Sequence, residues 1–327
     1  MNYKIATLAS HSALQILKGA KEEGFQTIAI CQKDKVQPYK SFNVADEFII
    51  IDDFKDYPLI EEELLKRNAI LIPHGSFIAY LGEKVNNIKV KHFGNKKILR
   101  WESDRSLERQ WLTQAGLRMP KQFSTPEEID RQVIVKFDGA GGGQGYFLAN
   151  TAEEFYDKIK EHQDKIYTIQ EFIVGTPLFI HYFYSPLTKE LEVMGFDKRY
   201  ESNADALGRI PQTKIPATYT VTGNLPLVIR ESLLPEVFRM GEAVVKTSQE
   251  LEAPGLYGPF CLETIITPDL KFYVFEISAR IVAGTNCFPG GSPYTYYKYS
   301  EPMSTGRRIS RELKTAIQMN MLDRVTE

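Results

Sequence analysis

Strand and helix signals alternate over the first 95 residues, and this alternation constrains the fold more than any other feature of the sequence. Apolar runs typical of strands occupy Tyr3–Ala9, Phe25–Cys31, Phe48–Ile51 and Ala69–Ile72. Helical patterns lie at Ala13–Glu23, Leu59–Arg67 and Ser76–Val85. Strands that alternate with helices form a parallel sheet covered on both faces. We therefore predict an N-terminal α/β domain over residues 1–95, with a boundary near Asn86–Asn95.

Two polar turns follow strands of this predicted sheet, and in such sheets ligands bind beyond the carboxyl ends of the strands. Ser10–Ser12 follows the first strand, and Pro73–Ser76 follows Ala69–Ile72. His11 and Ser76 are thus candidate ligand-binding residues. A lone histidine in a turn is more often simply solvated.

The rest of the chain reads as mostly antiparallel, after a helical stretch at Asn95–Gly116. Strand patterns occupy Gln132–Phe137, Tyr146–Ala149, Tyr167–Val174, Leu178–Tyr184, Phe260–Ile266 and Phe272–Ala279. Helical patterns occupy Thr151–His162, Pro235–Leu251 and Ser304–Met319. Thr151 followed by Glu154 predicts a capping box at the first of these helices. We predict an α+β domain over residues 96–327, with a smaller subdomain at about 130–185.

A glycine-rich loop joins two of these strands and is a candidate phosphate-binding element. It contains Gly139, Ala140, Gly141, Gly142, Gly143, Gln144 and Gly145. Glycines let the backbone approach a ligand and expose N–H donors to phosphate oxygens. No Gly-Lys-Ser/Thr follows, so the loop is not a Walker A motif. The pattern fits either a lid over a nucleotide or a plain surface turn. Lys136, which precedes the loop, could contact a phosphate or simply be solvated.

The hairpin at 260–279 gives the most specific prediction. A turn centred between Asp269 and Leu270 places Glu263 directly opposite Glu276, with Cβ atoms about 5 Å apart. Facing carboxylates repel each other unless one is protonated or a cation lies between them. Oxygen ligands of this kind suit Mg²⁺ held against substrate phosphates. Arg280 lies on the same face as Glu276, whereas Tyr273 and Phe275 are expected on the core face. A solvent-facing hairpin is the alternative.

The strand segment of Gln170, Glu171, Phe172 and Ile173 is compatible with an adenine-binding edge, although an ordinary strand is the more frequent case.

The composition limits the class of protein more firmly. The formal net charge is −2, from 40 basic and 42 acidic residues, which argues against a nucleic-acid or membrane-surface binder. No apolar run approaches the roughly 18 residues of a membrane span. Three cysteines form no disulfide framework, and no signal peptide is evident, so we expect a cytoplasmic protein.

Taken in order, these motifs resemble the ATP-grasp ligases. The resemblance extends over nearly the whole chain to the archaeal formate-dependent FAICAR synthetase family. The segments that carry it include Arg199–Asn203, Val221–Asn224, Arg230–Leu234, Gly258–Glu263, Phe275–Arg280, Gly284–Asn286, Gly291–Tyr294 and Ser304–Ile309. The resemblance implies an N-terminal α/β domain followed by an ATP-grasp fold, in which the glycine-rich loop is the lid.

The resemblance also implies roles for individual residues. Glu263 and Glu276 are similar to the ligands of Mg²⁺ or Mn²⁺, and Arg280 to the arginine beside the reacting carboxylate. The ATP site would comprise Lys136, the lid from Gly139 to Gly145, Gln170–Ile173 and Glu201. The site for AICAR (5-aminoimidazole-4-carboxamide ribonucleotide) would comprise His11, Ser12, Ser76 and Asn224. The lid carries no cation where related lids have lysine or arginine, because those positions are Gly141 and Gln144.

The activity implied is ATP- and formate-dependent formylation of AICAR to FAICAR in purine biosynthesis, by a homo-oligomer that binds neither nucleic acid nor membrane. Two alternatives remain at this stage. One is an ATP-grasp ligase for another small carboxylate. The other is an altered paralogue that binds nucleotide or AICAR without turnover, which the neutral lid motivates.

Overall fold

The computed structural model describes residues 2–137, 146–162, 164–201 and 220–327. Three sheets follow one another along the chain, and the combination of one parallel and two antiparallel sheets confirms the predicted mixture of α/β and α+β structure. In the described residues no helix is long and apolar enough to cross a membrane.

The first sheet is parallel and has the strand order β3-β2-β1-β4-β5. Its strands are β1 (Lys4–Leu8), β2 (Gln26–Gln32), β3 (Glu47–Ile51), β4 (Ala69–Leu71) and β5 (Lys91–His92). Its helices are α1 (Ala13–Glu22), α2 (Val36–Ser41), α3 (Tyr57–Lys66) and α4 (Phe77–Leu81). Successive strand residues face opposite sides, so Ala6 and Leu8 join one apolar core while Ile5 joins another. Both faces are covered, as predicted.

The predicted helix at Asn95–Gly116 is two helices, α5 (Lys96–Ser103) and α6 (Arg105–Gln114). Asp104 separates them with extended backbone torsions, φ −105° and ψ 114°. Its carboxylate accepts hydrogen bonds from the backbone N–H groups of Ser106 and Leu107, which caps α6. The break gives α5 and α6 different directions, and each helix sends one glutamate toward the third sheet.

The second sheet is four-stranded, in the order β6-β9-β7-β8. Its elements are β6 (Gln122–Phe123), β7 (Val133–Phe137), β8 (Tyr146–Ala149), α7 (Ala152–Ile159) and β9 (Tyr167–Glu171). Thr151 caps α7 as predicted, by accepting a hydrogen bond from the Glu154 N–H. The reciprocal half of the predicted capping box is wrong, because the Glu154 carboxylate accepts from Asn150 instead of Thr151.

The third sheet is antiparallel, in the order β12-β11-β10-β13-β14. Its strands are β10 (Thr176–Tyr184), β11 (Leu191–Glu201), β12 (Val221–Leu227), β13 (Gly258–Ile266) and β14 (Phe272–Ser278), and the long helix α8 (Leu234–Leu251) packs on it. The sequence patterns did not indicate β11 or β12. The strand at Thr176–Tyr184 belongs to this sheet, although the proposed lid subdomain of about 130–185 includes it. The domain boundaries stay a prediction.

The C-terminal segment returns to the first sheet through α9 (Pro293–Tyr299) and α10 (Thr305–Gln318). Helices α1 and α10 cross at glycines. A Cβ on Gly19 would lie 2.2 Å from the backbone nitrogen of Arg307, and one on Gly306 would lie 2.3 Å from the carbonyl oxygen of Gln15. This close contact fixes the returning segment against the turn that carries His11 and Ser12.

Candidate active site

The facing glutamates lie on adjacent strands of the third sheet. Glu263 pairs directly with Glu276 and Cys261 with Ser278, which confirms the predicted register at these positions. The predicted length of the turn was wrong, although the register at these positions was right. Five residues separate Ile266 from its partner Phe272, and a bulge at Phe275 compensates for the odd loop length.

The bulge also changes which side chains face the core. Val274 and Phe272 are buried there with Leu262 and Ile277. Phe275 instead packs with Phe179 and Cys261 on the opposite face of the sheet, so its predicted position on the core face is wrong. Because Glu263 is opposite both Glu276 and Phe179, the acidic pair shares this second face. We call it the site face.

The acidic pair is electrostatically unbalanced. Glu263 is 2% exposed, and its Oε2 atom has no hydrogen-bond partner among the described residues. Glu276 remains accessible to water in the cleft. The negative charge of Glu263, and secondly the surrounding protein atoms, raise the pKa of Glu276 to about 7. A cation between the two carboxylates would relieve this repulsion.

Arg199 on β11 balances one side of the pair. Its Nη2 donates to Oε1 of Glu263 over 2.5 Å, and its guanidinium lies 4.0 Å from the centre of the Phe179 ring. The sequence analysis named Arg199 only within a segment that carries the family resemblance and gave it no role. Arg199 lies two residues after Asp197, and residues two apart on a strand share a face. Had this segment been recognised as a strand, the spacing would have placed both side chains on one face.

A cleft opens between the second and third sheets, beside Glu276. Its lining includes Arg105, Glu108, Arg109, Lys136, Gln170 and Phe275. The Nζ atom of Lys136 lies 5.6 Å from the centre of the Phe275 ring. Burial lowers the pKa of Lys136, and the charge of Glu276 opposes that shift. The structure thus brings two of the predicted ATP-site residues, Lys136 and Gln170, next to the acidic pair.

Glu108 of α6 is an acid that the sequence analysis missed. It accepts a hydrogen bond of 2.7 Å from the backbone N–H of Ile277, and it is 8% exposed. Burial, followed by the charge of Glu276, raises its pKa to about 9. At neutral pH this carboxyl group is therefore protonated, which avoids a third negative charge beside the pair.

Of the remaining predicted ATP-site residues, Glu171, Phe172, Ile173 and Glu201 are described by the structure. The backbone N–H groups of Glu171 and Phe172 donate to the carbonyls of Lys121 and Gln132. The Glu171 carboxylate accepts from Lys121 and Arg131, and so faces away from Lys136. Ile173 is buried beyond the end of β9, and Glu201 ends β11. The lid residues Gly139, Ala140, Gly141, Gly142, Gly143, Gln144 and Gly145 lie outside the described residues.

Arg280, the predicted catalytic residue, follows β14 and is held by a buried acid. It forms an ion pair with Glu102 of α5, which also accepts a hydrogen bond of 2.8 Å from the backbone N–H of Ala279. Burial raises the pKa of Glu102, whereas the charge of Arg280 opposes the rise. The Nε–H group of Arg280 is buried and has no partner among the described residues. It is thus available to an anion.

The His11 turn lies near this arginine. Partial burial, and secondly the charge of Arg280, lower the pKa of His11. The two ring nitrogens of His11 lie 2.8 Å from the hydroxyls of Ser10 and Ser76, so the predicted pair His11 and Ser76 is in direct contact. Ser12 precedes α1, and its buried hydroxyl has no partner among the described residues.

Asn224 belongs to another part of the site face. Its Nδ2 donates over 2.6 Å to Asp197, which is also 2.6 Å from Nε2 of His181. Asp197 and His181 are 1% exposed, and the sequence analysis did not indicate their contact. The segment Ala283–Cys287 joins the two regions, because Gly284 covers the Asp197–His181 pair while Asn286 donates to the carbonyl of His11.

Two family models match the chain. One, described as a domain of unknown function (DUF1297), matches residues 149–327. The other, described as a protein of unknown function (DUF1246), matches residues 5–123. Together they cover both the sheet that carries His11 and the sheet that carries the acidic pair.

Similar solved structures establish the fold. An IMP biosynthesis protein PurP from Thermococcus kodakaraensis superposes with a TM-score of 0.81 at 34% identity, covering 99% of this chain and 100% of that one. A biotin carboxylase from Campylobacter jejuni superposes with a TM-score of 0.68 at 14% identity, covering 94% of this chain and 70% of that one, and so shows the fold alone.

Curated relatives are closer in sequence. A 5-formaminoimidazole-4-carboxamide-1-(beta)-D-ribofuranosyl 5'-monophosphate synthetase from Pyrococcus abyssi is 56% identical in an alignment of 337 positions that covers 98% of each chain. The synthetase of the same name from Methanocaldococcus jannaschii is 51% identical in an alignment of 339 positions that covers 98% of this chain and 94% of the relative. The resemblance seen in the sequence is thereby confirmed. The chain belongs to the family of 5-formaminoimidazole-4-carboxamide ribonucleotide (FAICAR) synthetases, ligases of purine biosynthesis with the ATP-grasp fold.

Proposed function

We propose that the chain formylates the 5-amino group of AICAR with ATP and formate, through formyl phosphate, and releases FAICAR, ADP and phosphate. The observation that carries this proposal is the Glu263–Glu276 pair at the mouth of a cleft lined by Lys136. The pair lies on the face that also holds Arg199, and Arg280 follows the same strand. Cationic groups therefore surround the place where phosphoryl charge would develop.

The residues present fit a divalent cation, Mg²⁺ or Mn²⁺. Oε2 of Glu263 has no partner in the part of the chain that the structure describes, and the pKa of Glu276 is raised, so both carboxylates indicate a missing positive charge. Among the described residues no group of three or more protein ligands exists, which suits a cation that keeps open positions for ATP phosphates. Bound there, the cation would neutralise charge on the transferring phosphoryl group.

The protein side chains supply the rest of the first step. An oxygen of formate attacks the γ-phosphorus of ATP, the bond to the β-phosphate oxygen breaks, and ADP leaves. Lys136 would hold the nucleotide phosphates, because its ammonium group reaches the same cleft as Glu276. Arg280 would hold the formate or the formyl phosphate through its unpartnered Nε–H group. Glu102 keeps that guanidinium in place.

The second step needs the amine close to the formyl carbon. The nitrogen lone pair of the 5-amino group attacks that carbon, phosphate leaves, and the nitrogen loses a proton. His11, Ser12, Ser76 and Asn224 would bind AICAR. The unpartnered hydroxyl of Ser12 at the N-terminus of α1 suits its phosphate group, because helix N-termini favour anions. Burial, and secondly the charge of Arg280, lower the pKa of His11, and this influence of Arg280 supports an AICAR site beside the reacting anion.

The test is ADP release measured with all three substrates, then with formate and AICAR omitted in turn, and with bicarbonate replacing formate. We expect rapid release only when formate and AICAR are both present, together with FAICAR in the product mixture. Rapid turnover with bicarbonate instead of formate would contradict the formate assignment. No release under any condition, despite calorimetric binding of ATP, would favour a binding protein.

A further inference from the structure

Asp197 lies at the centre of a buried hydrogen-bonded group on the site face. One carboxylate oxygen lies 2.6 Å from Nε2 of His181, and the other accepts from Nδ2 of Asn224 over 2.6 Å. Asp197 is only 1% exposed, whereas Asn224 is partly exposed. The group therefore links a buried anchor to a side chain that reaches the site.

The chemistry of this contact sets the orientation of the Asn224 amide. The oxygen and nitrogen of an amide look alike in most structures, so the hydrogen-bonding partner must decide between them. A carboxylate only accepts hydrogen bonds. The NH₂ group of Asn224 must therefore point at Asp197, and its Oδ1 must turn the other way.

Packing holds Asp197 in this position. A Cβ atom added to Gly284 would lie 2.1 Å from Oδ1 of Asp197 and 2.8 Å from Nε2 of His181. The backbone at Gly284 thus lies directly against the carboxylate and leaves it no room to rotate. Nothing in the proposed phosphoryl transfer requires a carboxylate at this place.

The location of Asn224 connects it to the chemistry. It pairs across the strands with Arg199, whose guanidinium bonds Glu263 of the acidic pair. The segment that covers Asp197 also reaches the other side of the site, where Asn286 donates to the carbonyl of His11 over 3.1 Å. Asn224 is therefore linked to the acidic pair through Arg199, and through Asp197 to the segment that contacts the His11 turn.

We infer that Asp197 is a specificity-determining positioning residue, which fixes the Asn224 amide so that Oδ1 is offered as an acceptor to an N–H donor of the amine substrate. This inference rests on the proposed function and deepens it. AICAR carries two such donors, its 5-amino group and its carboxamide. A ligand that offered only acceptors at this place would meet the lone pairs of Oδ1 and bind weakly.

The test is Asp197→Asn, which keeps the shape of the side chain but lets Asn224 turn over. We expect the KM for AICAR to rise about tenfold, the effect of one lost hydrogen bond, with the KM for ATP changed less than twofold. The matched control is Asp157→Asn, an exposed aspartate of α7 paired with Lys160, for which both KM values should match those of wild type.

A double-mutant cycle separates positioning from a general structural effect. If Asp197 acts through Asn224, adding Asp197→Asn to Asn224→Ala should change the KM for AICAR less than twofold. Effects that multiply in the double variant, or an unchanged KM in Asp197→Asn, would overturn the inference. Wild-type protein that releases no ADP with AICAR and formate would reject the proposed function itself.

A second measurement serves if thermal melting shows that Asp197→Asn does not fold. Calorimetry would compare AICAR with two analogues, one with a carboxylate in place of the carboxamide and one without the 5-amino group. Wild type should bind at least one analogue tenfold more weakly than AICAR, and Asn224→Ala should lose that discrimination. Equal binding of all three ligands by wild type would overturn the inference.

Discussion

Two clusters of charged residues lie on the third sheet, and they differ in burial and in how completely their polar atoms are paired. In the first, which we call the paired cluster, Arg308 of α10 donates to both Glu192 and Glu312. Ser185 and Tyr299 donate to the remaining carboxylate oxygens. In the second, the acidic pair, Glu263 and Glu276 face each other and Oε2 of Glu263 lacks a partner among the described residues.

The difference indicates different roles. Burying charges costs free energy, which is recovered only when every charged group is paired. The complete pairing of the paired cluster is therefore typical of a structural network, here between α10 and β11. The acidic pair leaves part of that cost unrecovered. An arrangement of this kind persists where a ligand supplies the missing charge. We therefore propose a structural role for Arg308 and a functional role for Glu276.

The largest expected effect is on stability, from Arg308→Ala. Removing the guanidinium leaves Glu192 and Glu312 buried without their cation, and we expect a loss of about 3–5 kcal/mol in the free energy of unfolding. Urea denaturation measures it, with Arg324→Ala as an exposed control. Turnover per folded molecule should stay near that of wild type. A loss below 1 kcal/mol would remove the contrast between the two clusters.

Glu276→Ala should show the opposite pattern. It removes one of two repelling carboxylates, so the melting temperature should be kept or raised, while ADP release falls about 100- to 1000-fold because the cation is lost. Glu250→Ala, an exposed glutamate of α8, is the matched control. Turnover that stays at the wild-type level would reject the metal role of the pair.

Both clusters show what sequence reasoning reaches and where it stops. Facing positions in a hairpin follow from a two-residue period and a turn, so Glu263 and Glu276 were predicted together. The bulge at Phe275 was not, because it depends on the geometry of the five-residue loop. Glu102 and Glu108 reach the site from helices more than 150 residues earlier in the chain, and no periodicity connects such distant positions.

The same limit applies to Asp197 and Arg199. Both lie on β11, which the sequence patterns did not indicate as a strand, since Asp197, Lys198 and Arg199 form a polar run at the end of a strand that is apolar farther back. In contrast, the parallel sheet was predictable because its strands are short apolar runs separated by helices. Patterns in sequence thus predict local elements well, while contacts between distant segments need the tertiary structure.

A smaller effect is expected at the edge of the functional region. His11→Ala should raise the KM for AICAR about tenfold and change the KM for ATP less than twofold, since His11 contacts Ser76 in the turn after β4 and does not line the cleft of Lys136. Steady-state kinetics with each substrate varied in turn measures both constants. Equal rises in the two would count against the placement of AICAR at this turn.

The smallest expected change between neighbouring measurements, at most about 1.4 kcal/mol per pH unit, comes from Glu108→Gln, which tests whether unbalanced charge near Glu276 lowers stability. The folded protein holds Glu108 protonated up to a pKa of about 9, whereas an unfolded chain ionises it near its ordinary value. The folded state therefore binds more protons between these values, and wild-type stability falls as the pH rises through this range.

Glutamine mimics the protonated carboxyl group and cannot ionise. Its advantage in unfolding free energy should grow by at most about 1.4 kcal/mol per pH unit. Urea denaturation at pH 5 to 9 measures the slope, and parallel curves for the two proteins would show that Glu108 ionises normally.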